Sequence, residues 1–294
     1  MHHDQREQNK KGLTIALFIT AGVMVLEFIG GLLTNSLALL SDSGHMLSDT
    51  ASLALSMVAM RFATRPPSPT KSYGFFRLEI LAALFNGVTL LLITGWIFWE
   101  AIQRFRSPPE VVGEPIIAIA VIGLVANLIS AWFLMKKGDI SQNVNLKSAY
   151  LHVLGDALGS LGAILAGGLM SLFAWYIADP VISVLVAVLI LKGAWGVIRR
   201  SIHILMEGTP VAVDLNEVRR VLQAIRGVRN IHDLHIWTIT SGLDALSCHL
   251  VIDDEQDEQT ILQEAIQTVE ERFHIRHTTI QVETSELKHP ETEI

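Results

Sequence analysis

Six apolar segments, at about 13–33, 37–60, 78–102, 115–135, 146–171 and 177–198, take up most of the first two thirds of the sequence. A hydrocarbon layer about 30 Å thick needs about 20 helical residues to cross it. Backbone polar groups find no water inside that layer, so only helices or closed barrels can span it. None of the six segments alternates polar and apolar residues as a barrel strand would, so each is expected as a helix. Composition agrees: half the chain is apolar, mean hydropathy is positive, and only 17% is charged, against roughly 25% in soluble proteins.

Charge at the segment ends gives an orientation. Arg6, Lys10, Lys11, Arg61, Arg65, Lys71, Arg77, Lys136, Lys137, Lys147, Arg199 and Arg200 fall on one side, and only Arg104 and Arg106 on the other. Lysine and arginine are retained on the cytoplasmic side, so both termini are expected there. The polar segment 1–12 is followed by an apolar run too long for a signal sequence and without a small-residue cleavage site. That run is expected as a retained first span of a transmembrane domain, 13–207. The single cysteine, Cys248, excludes an intrachain disulfide.

After Gly208-Thr209-Pro210 the pattern becomes that of a small soluble domain, 208–287. Asp214 precedes an amphipathic run (Leu215, Val218, Val221, Leu222, Ile225) and is expected as its N-cap. Strand patterns lie near 228–239 and 244–252. Residues 257–273 read as a helix with Ile261, Leu262, Ala265, Ile266 and Val269 on one face, and 278–283 as a last strand. The order αββαβ predicts an open-faced, ferredoxin-like α+β sandwich on the cytoplasmic side, with 288–294 a disordered tail.

The second and fifth apolar segments each carry a histidine and an aspartate four residues apart: His45 with Asp49, and His152 with Asp156. At that spacing both side chains share one helix face. An aspartate at the centre of a span costs about 2.5–3.5 kcal/mol, so four ionisable groups in two matching pairs call for a compensating charge. A divalent cation supplies it, since two imidazoles and two carboxylates complete the tetrahedral shell zinc prefers. The competing reading is that the pairs only bond one another between helices. Gly155, Gly159 and Ala163 recur every fourth residue and admit a close neighbour. Asp42, one turn before His45, is either a further ligand or a helix cap. Asn86 and Asn127 are either supports for the ligands or interhelical hydrogen-bonding groups. Glu79 and Glu100, near Arg77 and Arg104, are expected at the interfaces, and Glu27 has no assigned partner.

These features, with Ser36-Leu37-Ala38-Leu39-Leu40-Ser41-Asp42-Ser43-Gly44-His45-Met46 and Tyr73-Gly74-Phe75-Phe76-Arg77-Leu78-Glu79-Ile80-Leu81-Ala82-Ala83-Leu84, resemble the cation diffusion facilitator family, in its bacterial zinc/cadmium/cobalt-resistance branch. The resemblance covers nearly the whole chain. It implies a homodimeric, multi-pass protein of the inner membrane that exports Zn²⁺ in exchange for protons, with Cd²⁺ and Co²⁺ as further cargoes. It assigns the transport ligands to His45, Asp49, His152 and Asp156. It also implies a zinc site in the cytoplasmic domain at His232, His249 and Glu283, to which His2 or His3 of a neighbouring chain could add. The loop between the second and third segments holds Lys71, Tyr73, Phe75 and Phe76 and no histidine, so the accessory site some members carry there is not expected. His235 and Trp237 share a strand face and read as structural. Cys248 should point opposite to His249 on an alternating strand.

The implied partners are metal ions, protons, lipid and a second copy of the chain, with no nucleic acid. Zinc requires neutral histidines and ionised aspartates, so metal and protons compete for the same groups. A membrane zinc hydrolase would need an open, water-activating site such as His-Glu-x-x-His; that motif does not occur, and no enzymatic activity is expected. A membrane metal sensor that binds without transporting is the alternative function.

Overall fold

The computed structural model describes residues 2–48, 50, 68–109, 113–137, 144–240 and 242–284. The chain divides into two compact units, 1–54 with 85–197, and 55–84 with 198–294. Among the described residues the first helices are α1 (His2–Thr34), α2 (residues 37–48), α3 (Leu78–Arg106), α4 (Gly113–Lys137), α5 (Val144–Phe173) and α6 (Ala178–Leu205). Among the described residues four helical stretches are long and apolar enough to cross a membrane: Leu78–Arg106, Gly113–Phe133, Val153–Phe173 and Ala178–Leu205. Phe18–Thr34 is a shorter apolar stretch. The second expected span is helical over 37–48; apart from residue 50, its remainder lies outside the described residues. Apolar side chains face outward along α3, where Phe85, Leu92 and Trp99 are 67%, 69% and 58% exposed. Such a stripe is what a lipid-facing helix presents, since lipid tails solvate it.

In the first unit α4 packs along both α1 and α5. Leu39 and Ala38 of α2 bury against Ile116 and Ala120 of α4 and Ala163 and Ala166 of α5. The other side of α2 buries Leu37 against Ile97 and Ala101 of α3 and Ala187 of α6.

The start of α2 is fixed by a residue far away in sequence. The first N–H groups of a helix have no partner within it. Asp179, near the start of α6, accepts from Leu37 N at 2.7 Å, Ala38 N at 3.1 Å and Ser36 Oγ at 2.7 Å. Leu39 N donates to Ser36 Oγ and Leu40 N to Ser36 O. The Arg104 guanidinium lies 3.4 Å from Asp179 and also donates to Glu100, to Asn35 O and to Asn35 Oδ1. Arg104 is 6% and Asp179 1% exposed. Arg104 is therefore a buried tie between α3, α6 and the α1–α2 link, and it does not sit in an open loop.

The second unit carries α7 (Leu215–Gln223), β1 (Val228–Thr240), β2 (Leu243–Ile252), α8 (Glu258–Phe273) and β3 (His277–Glu283), in the order read from the sequence. Asp214 and Asp257 cap α7 and α8 by accepting from Asn216 N and Thr260 N. The sheet order is β1-β2-β3, with β1 and β2 antiparallel and β2 and β3 parallel. Val218 and Leu222 of α7 and Ile261, Ala265 and Val269 of α8 bury against Ile231, Ile236, Leu246 and Leu250 of the sheet. Residues 68–84 belong to this unit: Tyr73 meets His277 edge to face, Arg77 pairs with Glu207 at 2.8 Å, and Thr240 Oγ1 donates to Glu79 at 2.7 Å.

Candidate metal centres

The sheet of the second unit brings three expected ligands together. His232 on β1 stands directly across from His249 on β2, and β3 pairs with β2 so that Glu283 falls beside them. Glu283 Oε2 lies 3.1 Å from His232 Nε2 and its Oε1 lies 2.6 Å from His249 Nδ1. The two imidazole rings are 4.9 Å apart. One ligand atom from each residue falls within 4.8 Å of the others. Two imidazole nitrogens and a carboxylate oxygen at that separation suit Zn²⁺, whose bonds to N and O are about 2.0–2.2 Å. Glu283 is 5% exposed, so its charge has little water to solvate it, which suits a cation there.

A β-bulge shapes this face. The pairing of β1 with β2 shifts between His232 and His235, and Asp233 adopts a left-handed backbone, φ 51°. Ile231, Leu234 and Ile236 are buried while His232, Asp233 and His235 point away from the core. Strict alternation would send His232 and His235 to opposite faces; the extra residue brings them to one. His235 therefore borders the site, where strand alternation alone gave it no such place. The sequence signal was the three-residue step from Ile231 to Leu234, where a period of two breaks. Asp233 Oδ1 accepts from His235 Nε2 at 2.9 Å. That contact holds the Asp233 carboxyl below its ordinary range. Cys248 points into the core as expected; burial pushes its thiol up to about 12.

In the helical unit α2 places His45 half-buried and α5 places Asp156 fully buried. Asp49 lies outside the described residues, as does the side chain of His152, which falls one turn before Asp156 on α5. Asp42 is not a helix cap. It sits inside α2, 3% exposed, and the capping role is filled by Ser36 and Asp179. Its carboxyl occupies the space left by Gly159 of α5, where an added Cβ would collide with it. The Asp42 carboxyl lies beside the Glu27 carboxyl of α1, and both lie near Asp156. Glu27, fully buried, accepts from Ser160 Oγ at 3.2 Å. Asn86 accepts from Ser48 of α2 at 2.6 Å, an interhelical bond beside the Asp49 position. Asn127 is fully buried, and its amide has no hydrogen-bond partner among the described residues.

A helical membrane unit with buried carboxylates and a histidine, joined to an αββαβ unit with a three-residue cluster suited to a metal ion, defines a membrane protein that handles cations. Residues 13–206 match the cation efflux transmembrane domain and residues 210–285 the cation efflux protein cytoplasmic domain. The chain belongs to the cation efflux family. It is 48% identical to the "Cadmium, cobalt and zinc/H(+)-K(+) antiporter" of Bacillus subtilis (strain 168), over 98% of this chain and 93% of that protein. It is 42% identical to "Zinc transporter ZitB" of Escherichia coli (strain K12), over 96% of this chain and 90% of that one. Among solved structures it is similar to the "Metal-bound C-terminal domain of the CzcD transporter from Cuprividus metallidurans", at 43% identity, covering 24% of this chain and 99% of that one, with TM-score 0.24.

Proposed function

We propose that this protein exports divalent transition-metal cations, zinc foremost, from the cytoplasm in exchange for protons. His45, Asp49, His152 and Asp156 are the groups that carry the cargo between α2 and α5. The observation that carries the reading is Asp156, a carboxyl with no exposed surface on an apolar helix, facing the cost that buried charge incurs in a membrane. A dication shared with His45 and the other two groups offsets that cost. The names of the relatives support the cargo: cadmium, cobalt and zinc for one, zinc for the other.

The exchange follows from ligand chemistry. A cation arriving from the cytoplasm displaces protons from histidine and aspartate, and protons entering from outside displace the cation. In this reading six spans alternate between the two openings, both termini are cytoplasmic, and two copies assemble in the inner membrane. The cytoplasmic unit, a ferredoxin-like sandwich, binds zinc at His232, His249 and Glu283.

Zinc uptake by inside-out vesicles containing an internal pH dye tests this. The parent should accumulate zinc while protons leave the vesicle, and Asp156→Ala should do neither. Cd²⁺ and Co²⁺ in place of zinc rank the cargoes, and removing K⁺ separates proton from potassium exchange. Zinc flux with no opposing proton movement would refute the exchange, and undiminished flux in Asp156→Ala would refute the site. A sensor without transport would give no flux in the parent.

A further inference from the structure

We propose that Asp233 is the positioning residue of the cytoplasmic metal site, holding the His249 ring so that Nδ1 is presented to the metal. The proposal rests on the reading of His232, His249 and Glu283 as that site.

His249 turns Nδ1 toward Glu283 at 2.6 Å and Nε2 toward Asp233 Oδ2 at 3.7 Å. A metal held at Nδ1 leaves the ring proton on Nε2, because a neutral imidazole carries its hydrogen on the other nitrogen. Asp233 Oδ2 is the acceptor on that side, and closing the gap to hydrogen-bond length takes less than about 1 Å. Metal-bound histidines commonly donate their second N–H to a carboxylate, which fixes the tautomer and ring orientation. The other Asp233 oxygen accepts from His235 Nε2 at 2.9 Å. His235 therefore braces the carboxylate that braces His249.

The backbone supplies an independent observation. Asp233 holds φ 51°, in the left-handed region, at the residue that opens the bulge. Glycine adopts that conformation without strain and is the usual choice where a chain needs it. An aspartate there keeps a carboxylate at a position where the backbone alone would favour glycine, and left-handed residues of this kind concentrate at functional sites. His232 is the neighbouring residue and shares the outer face, so the same bulge that strains Asp233 aims it at the ligands.

The test is a competition titration of Zn²⁺ against a chromophoric chelator. It uses the full chain in detergent, on an Asp156→Ala background that removes the membrane site. Asp233→Ala and Asp233→Gly should each weaken zinc binding by about 10–100-fold, the usual loss when such a support is removed. Asp233→Asn, whose amide oxygen still accepts from Nε2–H, should recover part of it. Asp233→Gly is decisive, since it relieves the backbone while deleting the carboxylate; binding as tight as the parent's would overturn the proposal. With Co²⁺ as probe, the saturated Asp233→Gly variant should keep the parent's absorption bands. Moved bands would make Asp233 a ligand and overturn the positioning role. His232→Ala and Glu283→Ala serve as the separate check on the site: if they bind like the parent, the site reading itself fails.

Discussion

Replacing Asp179 by alanine tests how α2 is held. The carboxylate takes two backbone N–H groups and one hydroxyl at the start of α2 and lies 3.4 Å from the Arg104 guanidinium. Removing one partner of a buried ion pair costs about 3–5 kcal/mol, because the other charge stays buried without compensation. Each backbone donor left without an acceptor adds about 1–3 kcal/mol. These contributions share one carboxylate and do not simply add, so about 3–5 kcal/mol is a floor. At roughly 2–4 °C per kcal/mol for a unit of this size, the melting temperature should fall by roughly 6–20 °C. Thermal unfolding in detergent, followed by tryptophan fluorescence, reads this. Thr89→Ala, which removes one local bond to Phe85 O in the same unit, should stay within about 0.5 kcal/mol of the parent. The Asp179→Ala/Arg104→Met double variant should be less destabilised than the sum of the singles, since it removes the orphaned charge. If Asp179→Ala melts like Thr89→Ala, the capping argument is wrong.

Three further outcomes are expected. Gly159→Ala places a Cβ on the Asp42 carboxyl and should destabilise the helical unit by about 1–3 kcal/mol. Gly168→Ala on the same helix, where a Cβ meets nothing among the described residues, should be neutral or stabilising by up to about 1 kcal/mol, and the two melting curves compare them. The Thr260 hydroxyl and backbone N–H hold the Asp257 carboxyl below its ordinary value of 3.8. A depressed folded-state value means the cap stabilises fully above 3.8 and is lost as pH falls through the lower folded value. The stability gap between parent and Asp257→Ala, measured by denaturant titration, should therefore close on acidification; a gap that widens would contradict the sign. Cys248, 1% exposed with its thiol pushed up to about 12, should resist maleimide at pH 7.5 until the domain unfolds; rapid labelling of the folded chain would contradict its burial.

Much was legible from residue order alone. The apolar runs predicted α3 to α6, because lipid imposes a length and a backbone rule that act on each segment separately; α6 nonetheless runs on to Leu205, past the apolar run that ends near 198. Asp214 and the amphipathic run after it predicted α7, since capping is settled within three residues. The cytoplasmic cluster was harder: His232, His249 and Glu283 lie on three strands, and only the resemblance to a family joined them. Asp233 was not legible as part of that face, because counting residues by twos assumes a regular strand. Asp42 was open between a ligand and a cap, because its role depends on where α2 begins.

By itself, then, the sequence determined which segments seek lipid, which seek a soluble core, and which ionisable groups lie on apolar helices. Those properties come from the periodicity of neighbouring residues and the solvent each segment prefers. Tertiary structure decided the rest: that Asp179 caps a helix beginning 142 positions earlier, that Gly159 makes room for Asp42, and that a bulge turns Asp233 and His235 to the outer face that His232 shares. Each of these depends on where two distant backbones meet, and no local pattern encodes that distance.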